Sequence, residues 1–386
     1  MQIEIKSIPA QNYPEYRTAV MFDGYKWDLQ ANEQSTISDK VVLLAESDAE
    51  FLAQSAVQLY NETIQMEHTL KNNPDLCLQM GISAEMADAL CNCTYDPNNH
   101  IRFMRFDFHP TTNGAWCISE VNSDVPAGYP EASVLPKLAL PYFNDCRQFG
   151  SFGDVLKKNL MQLAPAGSTI AYIHDTHTVE DYQILHYLGD MMENEGYRSF
   201  YASAEHIQWE NGFATNADAI FRYFPVEWLE FTKNTDWKGF VNSQTPSCNH
   251  PAALLTQSKR LPLVWDKLGI DIPMWKTLLP ETRCPTSLHN LEGRVLKPAF
   301  GRVGEGINIP GTVSREEALE IHQAAQKDPL QWVAQKMFVS QPVDGLHLNF
   351  GVFVINGEFA GLYARSSSEP KIDEDASEIP VLVKEI

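Results

Sequence analysis

Arg294-Val-Leu-Lys297-Pro-Ala-Phe-Gly301-Arg-Val-Gly304-Glu-Gly306-Ile-Asn308 begins as a short apolar run, ends that run at a lysine, and passes directly into a loop with three glycines. A loop of this kind lets backbone N–H groups approach phosphate oxygens with no Cβ in the way, and Lys297 adds a compact positive charge at the strand end. Two familiar nucleotide loops are excluded by spelling. Gly301 and Gly306 have P-loop spacing, but Ile307 and Asn308 stand where Lys and Ser or Thr are required. Gly304-Glu-Gly306 lacks the third glycine of the dinucleotide fingerprint. Alone, the stretch reads as a polyphosphate loop or as a glycine-rich turn.

Far upstream lies Arg105-Phe-Asp107-Phe-His109-Pro, followed by Asn113-Gly114 and then Cys117-Ile-Ser-Glu120-Val-Asn122-Ser-Asp124-Val-Pro126. Alternating side chains around an Asn-Gly turn predict a hairpin, with Arg105, Asp107 and His109 on one face and Glu120 and Asn122 on one face of the partner strand. Hard oxygen donors then converge. Magnesium takes few carboxylates together with substrate phosphates, so Asp107, Glu120 and the amide oxygen of Asn122 suit it better than any metal that prefers sulfur or imidazole. The alternative is a polar, solvated sheet face.

A third piece is Trp332-Val-Ala-Gln335-Lys-Met-Phe, followed by Leu348-Asn-Phe-Gly-Val-Phe-Val-Ile-Asn356-Gly357-Glu-Phe-Ala-Gly-Leu-Tyr-Ala-Arg365. Asn356-Gly357 between two apolar runs predicts a second hairpin. Arg365 ends its second strand, either as a clamp for a transferring phosphoryl group or as a surface arginine.

Taken in order, these pieces resemble a known family. Arg-x-Asp-Phe-His at 105–109, Glu-x-Asn-x-Asp-x-Pro at 120–126, Ser258-Lys259, Lys297-Pro298 with the Gly-Arg-x-Gly-x-Gly loop at 301–306, and Gly-Leu-Tyr-x-Arg ending at Arg365 look like the glutathionylspermidine synthase family of ATP-grasp ligases, over about residues 10 to 370. The resemblance implies an α/β and α+β chain with an ATP-grasp fold. Its order is permuted as in eukaryotic glutathione synthetase, the metal ligands preceding the lysines, and it carries a small parallel-sheet subdomain. By the same resemblance Asp107, Glu120 and Asn122 hold Mg²⁺, with two ions expected. Lys259 and Lys297 contact ATP phosphates, and the loop of Gly301, Gly304 and Gly306 closes over them. Gln335 and the residues after it reach the adenine, while Arg105 and Arg365 stabilise an acyl phosphate. The implied reaction joins a carboxylate, peptide-borne or small, to an amine, with a polyamine as one candidate, and releases ADP and phosphate. A non-catalytic nucleotide-binding regulatory module and a phosphotransferase are the competing readings.

Bifunctional members of that family carry an N-terminal cysteine amidase domain, whereas Asp107 here arrives after about a hundred residues, so the chain is similar to the short, synthetase-only members. The Ser366-Ser-Ser-Glu-Pro370 segment departs from the acidic continuation expected after the final arginine.

The 386 residues, 44% of them hydrophobic, suffice for a large core in two or three structural units. A net charge of −21 argues against nucleic acid or an anionic membrane as partner and is compatible with a cationic substrate. Seven cysteines without regular spacing read as reduced intracellular thiols, and Cys91-x-Cys93 has no second pair to complete a zinc site. His174 and His177 read as loop histidines. The N-terminus lacks the apolar stretch of a signal peptide, and apolar runs reach only about five residues against the ~20 of a membrane helix, so a cytoplasmic protein is expected. Nothing in the sequence speaks to oligomeric state.

Residues 48 to 71 predict an amphipathic helix with Leu52, Ala56, Leu59, Thr63, Met66 and Leu70 on one stripe, Ser47 as cap and Asn73-Pro74 as terminator. Ser168-Thr-Ile-Ala-Tyr-Ile-His174 and Ala219-Ile-Phe-Arg-Tyr-Phe224 read as strands flanking a helix that opens at Thr178 and stops near Gly196, a βαβ-like unit. Ser314-Arg-Glu-Glu317 is a capping box for a helix to about Lys327. Lys259 is expected on a helix after the proline-rich joint at 245–251. The expected divisions are an N-terminal part, 1–160, with the hairpin at 101–123; a small substrate subdomain, 161–250; and an ATP-grasp part, 251–386, with a lid at 285–345 and the C-terminal hairpin.

Overall fold

The computed structural model of the chain describes residues 1–386 apart from 28, 29, 32, 33, 95, 303 and 386. Its centre is a five-stranded antiparallel sheet in the order Ser377–Ile379, Glu358–Ser367, His347–Ile355, Phe103–Pro110, Trp116–Asn122. Both expected hairpins are present and lie side by side, because the His347–Ile355 strand pairs with the Phe103–Pro110 strand across more than two hundred residues of sequence. Asn356 and Gly357 both have positive φ, 47° and 82°, as a two-residue turn matched to strand twist requires.

Period-two alternation gives this sheet two unlike faces. Met104, Phe106, Phe108, Phe350, Val352 and Val354 are fully buried on one of them, against the helix Glu46–Leu70. The predicted stripe of that helix, Leu52, Ala56, Leu59, Thr63, Met66 and Leu70, is wholly buried. Its start differs from expectation: Ala45 occupies the cap position, no side chain caps it, and Ser47 lies inside the first turn. Packing of a 25-residue amphipathic face stabilises the helix without a cap. Asn73-Pro74 ends the helix as expected, and Pro74 opens a short new one, Pro74–Gln79.

A second sheet is parallel throughout, in the order Arg198–Ala202, Thr169–Ile173, Ala219–Arg222, Ser247–Cys248, His100–Ile101. The helix Val179–Glu193 connects its first two strands, so the βαβ unit closes on Arg198–Ala202, a strand the sequence reading passed over. Ala219–Arg222 then adds on the other side of Thr169–Ile173. Thr178 stands at the helix cap position without a side-chain hydrogen bond, so the near-match capping box is not formed.

A three-stranded antiparallel sheet, Thr282–Arg283, Trp332–Lys336 and Arg294–Pro298, is backed by the helix Arg315–Lys327 through Leu296, Ile321, Ala325 and Ala334. Here the N-cap half of the capping box forms: Ser314 Oγ accepts from the Glu317 N–H at 3.1 Å. A fourth sheet joins both ends of the chain, Ile3–Ser7 and Lys40–Leu44 with Val381–Lys384 and Cys146–Arg147. No helix among the described residues is long and apolar enough to cross a membrane.

Candidate functional site

The polar face of the central sheet and the inner face of the three-stranded sheet enclose a cavity of about 280 Å³, just below the ~300–1,000 Å³ typical of small-molecule sites. Arg105, Asp107, Glu120 and Asn122 line it from the central sheet, with Arg365 farther along the same sheet. Lys297, Gly304 and Gln335 line it from the opposite side. The remaining residues singled out in the sequence are placed differently. Gly301 and Gly306 face a recess on the outer side of the loop, and Val303 lies outside the described residues.

Lys259 does not sit on an α-helix. It occupies a turn between two 3-10 helices, Pro251–Thr256 and Leu261–Leu263, where proline prevents a continuous helix. That turn directs it behind Glu120: Nζ lies 2.9 Å from Glu120 Oε2 and donates to the Gly301 carbonyl at 2.7 Å.

Register sets up the acidic hairpin. Arg105 pairs with Asn122 and Asp107 with Glu120, as alternation around the Asn-Gly turn predicts. A bulge then leaves Ser119 unpaired between Glu120 and Ile118, so consecutive residues, Ser119 and Glu120, both reach the cavity. The freed Ser119 carbonyl accepts from Lys297 Nζ at 3.1 Å, and its hydroxyl lies 3.0 Å from His109 Nε2. Asp124, the last acid of the motif, faces away from the cavity: it forms a fully buried ion pair with Arg222 of the parallel sheet and accepts from the Val226 N–H at 3.0 Å.

Arg105 is held on several sides. Nε and Nη2 donate to the two oxygens of Asp107 at 2.7 and 3.0 Å, and Nη1 donates to the Ala127 carbonyl and to Tyr363 Oη at 2.8 and 3.0 Å. Gly351, in the strand between Arg105 and Tyr363, makes this possible: a Cβ there would lie 2.5 Å from the Tyr363 ring and 2.8 Å from Arg105 Cδ.

Burial opposes the charge of Glu120, but Lys259 and Lys297 outweigh it and hold the carboxyl below the ordinary range. Burial lowers Lys297 more than Glu120 supports it, and Lys259 adds repulsion, leaving its pKa at about 8. Burial, then Lys297, keeps His109 neutral with a pKa of about 3. At the other flank of the cavity, burial and the neighbouring Glu180 raise Asp181 to about 7.

These donors fit a magnesium ion that shares its shell with phosphates. Glu120 Oε2 is buried and, although Lys259 is at ion-pair distance, no donor is aligned with it, so it retains acceptor capacity. Asn122 spends its amino group on Asp107 Oδ2 at 3.2 Å, leaving its carbonyl oxygen as the available donor. Among the described residues no group of three His, Cys, Asp or Glu side chains is assembled.

The glycine loop is fastened over the cavity. Arg302 pairs with Glu227 at 2.6 Å and stacks on the Trp228 ring at 5.4 Å, while Gly304 packs against Ile372 and Asp373. Glu180, Asp181, Tyr223, Trp228 and Tyr363 also line the cavity, none of them marked by a motif except Tyr363, two residues before Arg365 on the same face of its strand.

A family model described as glutathionylspermidine synthase preATP-grasp matches residues 7–384. Among solved structures, the chain resembles a glutathione synthetase-like effector from Globodera pallida in its apo form, with a TM-score of 0.61 at 12% identity, covering 97% of this chain and 99% of that one. It also resembles a protein provisionally named gamma-glutamylcysteine synthetase from Methylobacillus flagellatus, with a TM-score of 0.47 at 10% identity, covering 83% and 88%. The first likeness establishes a glutathione synthetase-like ATP-grasp fold, in agreement with the fold expected from the motifs. No curated protein matches the chain in sequence.

Proposed function

Because the chain belongs to the glutathionylspermidine synthase preATP-grasp family, we propose that it is an ATP-dependent ligase joining a carboxylate to an amine through an acyl phosphate. The observation that carries this reading is one cavity lined by the buried Lys297 and by Glu120, with Lys259 behind Glu120 at 2.9 Å, and by two arginines, Arg105 and Arg365, on the same sheet beyond them. In this reading Lys297 and Lys259 oppose the charge of the ATP phosphates, and Gln335 with the strand end after it borders the adenine. Asp107, Glu120 and Asn122 hold Mg²⁺, which when bound neutralises phosphate oxygens during transfer. Arg105 and Arg365 hold the carboxylate and then the acyl phosphate as the γ-phosphoryl group moves. Tyr363 and Asp107 fix Arg105 before any substrate arrives, so little reorganisation is needed when charge shifts. The fastened glycine loop excludes water that would hydrolyse the acyl phosphate.

An amine then displaces phosphate to form the amide. The flank lined by Glu180 and Asp181, with the rings of Tyr223 and Trp228 beside them, suits a cationic amine, and this supports a polyamine-type acceptor. ADP release measured with ATP and Mg²⁺, with peptide acids and amines supplied singly and together, tests the proposal. Release that requires both establishes the ligase. Release with one acceptor identifies a phosphotransferase, and ATP binding without turnover a regulatory module.

A further inference from the structure

Glu378 stands directly across from Arg365 in the register of adjacent strands, and both side chains line the cavity. Opposite charges at facing positions on neighbouring strands ordinarily pair. Among the described residues no ion pair joins these two. Arg365 Nη2 donates to the Asp373 carbonyl, while Glu378 Oε2 accepts from Lys26 Nζ at 2.7 Å. Lys26 comes from the N-terminal segment and also lies 3.6 Å from Glu131 Oε1. Lys26 and Glu131 are both buried.

The segment is anchored where it can deliver this lysine. Tyr25 Oη donates to Asp190 at 2.7 Å, and the Trp27 N–H donates to Gln183 Oε1 at 2.7 Å, both on the helix Val179–Glu193. Glu131 Oε2 is buried with no donor facing it. Burial and the adjacent Glu378 push the Glu131 pKa well up, favouring its neutral form. Lys26 thus lies between two acids, Glu131 and Glu378.

We propose that Lys26 is a positioning residue for Arg365: by holding Glu378 it keeps that carboxylate off the facing guanidinium and leaves Arg365 presented to the cavity. Arg365 acts on the acyl phosphate only if the ligase reading above holds, so the role assigned to Lys26 in turnover rests on that reading. Its effect on the guanidinium does not. Without Lys26, Glu378 has one cation opposite it, and a bidentate Arg–carboxylate pair is the strong outcome.

The test compares wild type, Lys26→Met and Lys26→Met/Glu378→Gln in two readouts. One is the ¹⁵N resonance of Arg365 Nε, assigned by its loss in Arg365→Lys; the other is ADP release with ATP, acid and amine. In Lys26→Met the Arg365 resonance moves and kcat falls by roughly 10- to 100-fold, up to the loss of one such donor, with KM for ATP within about twofold of wild type. In the double variant, which has no competing carboxylate, both readouts return towards wild type. Should Lys26→Met not fold, the double variant decides alone, because it also removes the carboxylate that Lys26 balances. A folded double variant with wild-type-like Arg365 signal and turnover supports the proposal; one with a displaced signal or equally low turnover overturns it. So does an Arg365 resonance unmoved in folded Lys26→Met. A wild-type enzyme with no ADP release dependent on both acid and amine instead sinks the ligase reading, and the resonances still decide whether Lys26 orients Arg365.

Discussion

Lys259 Nζ lies 2.9 Å from Glu120 Oε2 and 2.7 Å from the Gly301 carbonyl oxygen, so one ammonium ties the acidic hairpin to the root of the glycine loop. Movement of either element strains the other. Lys297 approaches the same hairpin from the facing sheet through the Ser119 carbonyl. The carboxylate of Glu120 is therefore balanced between two lysines that a polyphosphate would also engage, and any ligand that takes the lysines releases acceptor capacity on Glu120 at the same moment.

Glu120→Gln separates these roles. It leaves both lysines without their anionic partner, so ATP without Mg²⁺ binds at least as tightly as in wild type. Mg²⁺ then adds little, and turnover falls by roughly tenfold or more, the scale at which altered metal shells register. Calorimetric ATP titrations with and without Mg²⁺ check this. An unchanged Mg²⁺ requirement would make the hairpin structural and place the metal elsewhere.

Lys297 gives a pH signature. With its pKa at about 8 in the free protein, it is charged at pH 7 and loses its proton as pH rises through 8. Bound phosphates favour the charged form, so ATP binding takes up a proton, approaching one, at pH 8.5 to 9, and affinity falls with rising pH by up to tenfold per unit. Asp181, raised to about 7, is already ionised in that window. Calorimetry in buffers of different ionisation enthalpy measures the uptake. Lys297→Met abolishes it and weakens binding by roughly 10- to 100-fold, the loss of one charge-assisted hydrogen bond of ~1.5–3 kcal/mol. Equal uptake in wild type and variant would remove Lys297 from the phosphate site.

Alternation and turn chemistry made the two hairpins legible, because side-chain direction in a strand follows from parity alone. Arg105, Asp107, Glu120 and Asn122 needed no structure to be placed on one surface. The strand Arg198–Ala202 was not legible: Arg-Ser-Phe-Tyr-Ala is half polar and only partly buried at the sheet edge, so neither period nor burial marks it. Lys259 was misplaced for a different reason, since Pro251 and Pro262 make 3-10 turns of a run whose apolar residues suit a helix. Lys26, Glu131 and Glu378 come together from distant parts of the chain, which no local pattern encodes. Motifs record residues that share a strand; they are silent on partners delivered from three hundred residues away.

Gly351→Ala probes the support under Arg105. The added methyl meets the Tyr363 ring at 2.5 Å and Arg105 Cδ at 2.8 Å, in a strand with paired neighbours on both sides. Overpacking of this kind costs about 1–3 kcal/mol, so the variant melts lower and loses turnover as Arg105 shifts. Thermal unfolding and ADP release measure the two effects. Wild-type stability would show that the Tyr363 ring moves freely and that Arg105 is less fixed than its contacts indicate.

Arg302→Ala loosens the glycine loop without touching the lysines. It removes the Glu227 ion pair and the stacking on Trp228, and leaves Glu227 buried without its cation. KM for ATP rises several-fold, and limited proteolysis cuts near 300–306 faster than in wild type. Added nucleotide slows the cut by binding the closed loop. Equal cleavage of the two proteins would mean that the loop is held by Gly304 and Lys259 alone.

Arg365→Lys tests the transfer step itself. Arg365 lies on the same sheet as Arg105, with its guanidinium turned towards the segment after its own strand. Lysine keeps the charge and the reach but offers one point donor in place of a planar fork, so it cannot engage two phosphoryl oxygens together. An interaction made chiefly as charge develops lowers kcat while KM for ATP stays near wild type. The expected loss is on the order of 10²-fold, the usual consequence of removing one donor from such a site. Folding is unaffected, because the ammonium can still reach the Asp373 carbonyl. Steady-state kinetics with any acid and amine pair that the wild type accepts provide the measurement. A lysine variant with near wild-type kcat would leave Arg365 without a phosphoryl role, and would shift the burden of acyl-phosphate stabilisation to Arg105, four of whose five N–H donors are already directed to Asp107, Ala127 and Tyr363.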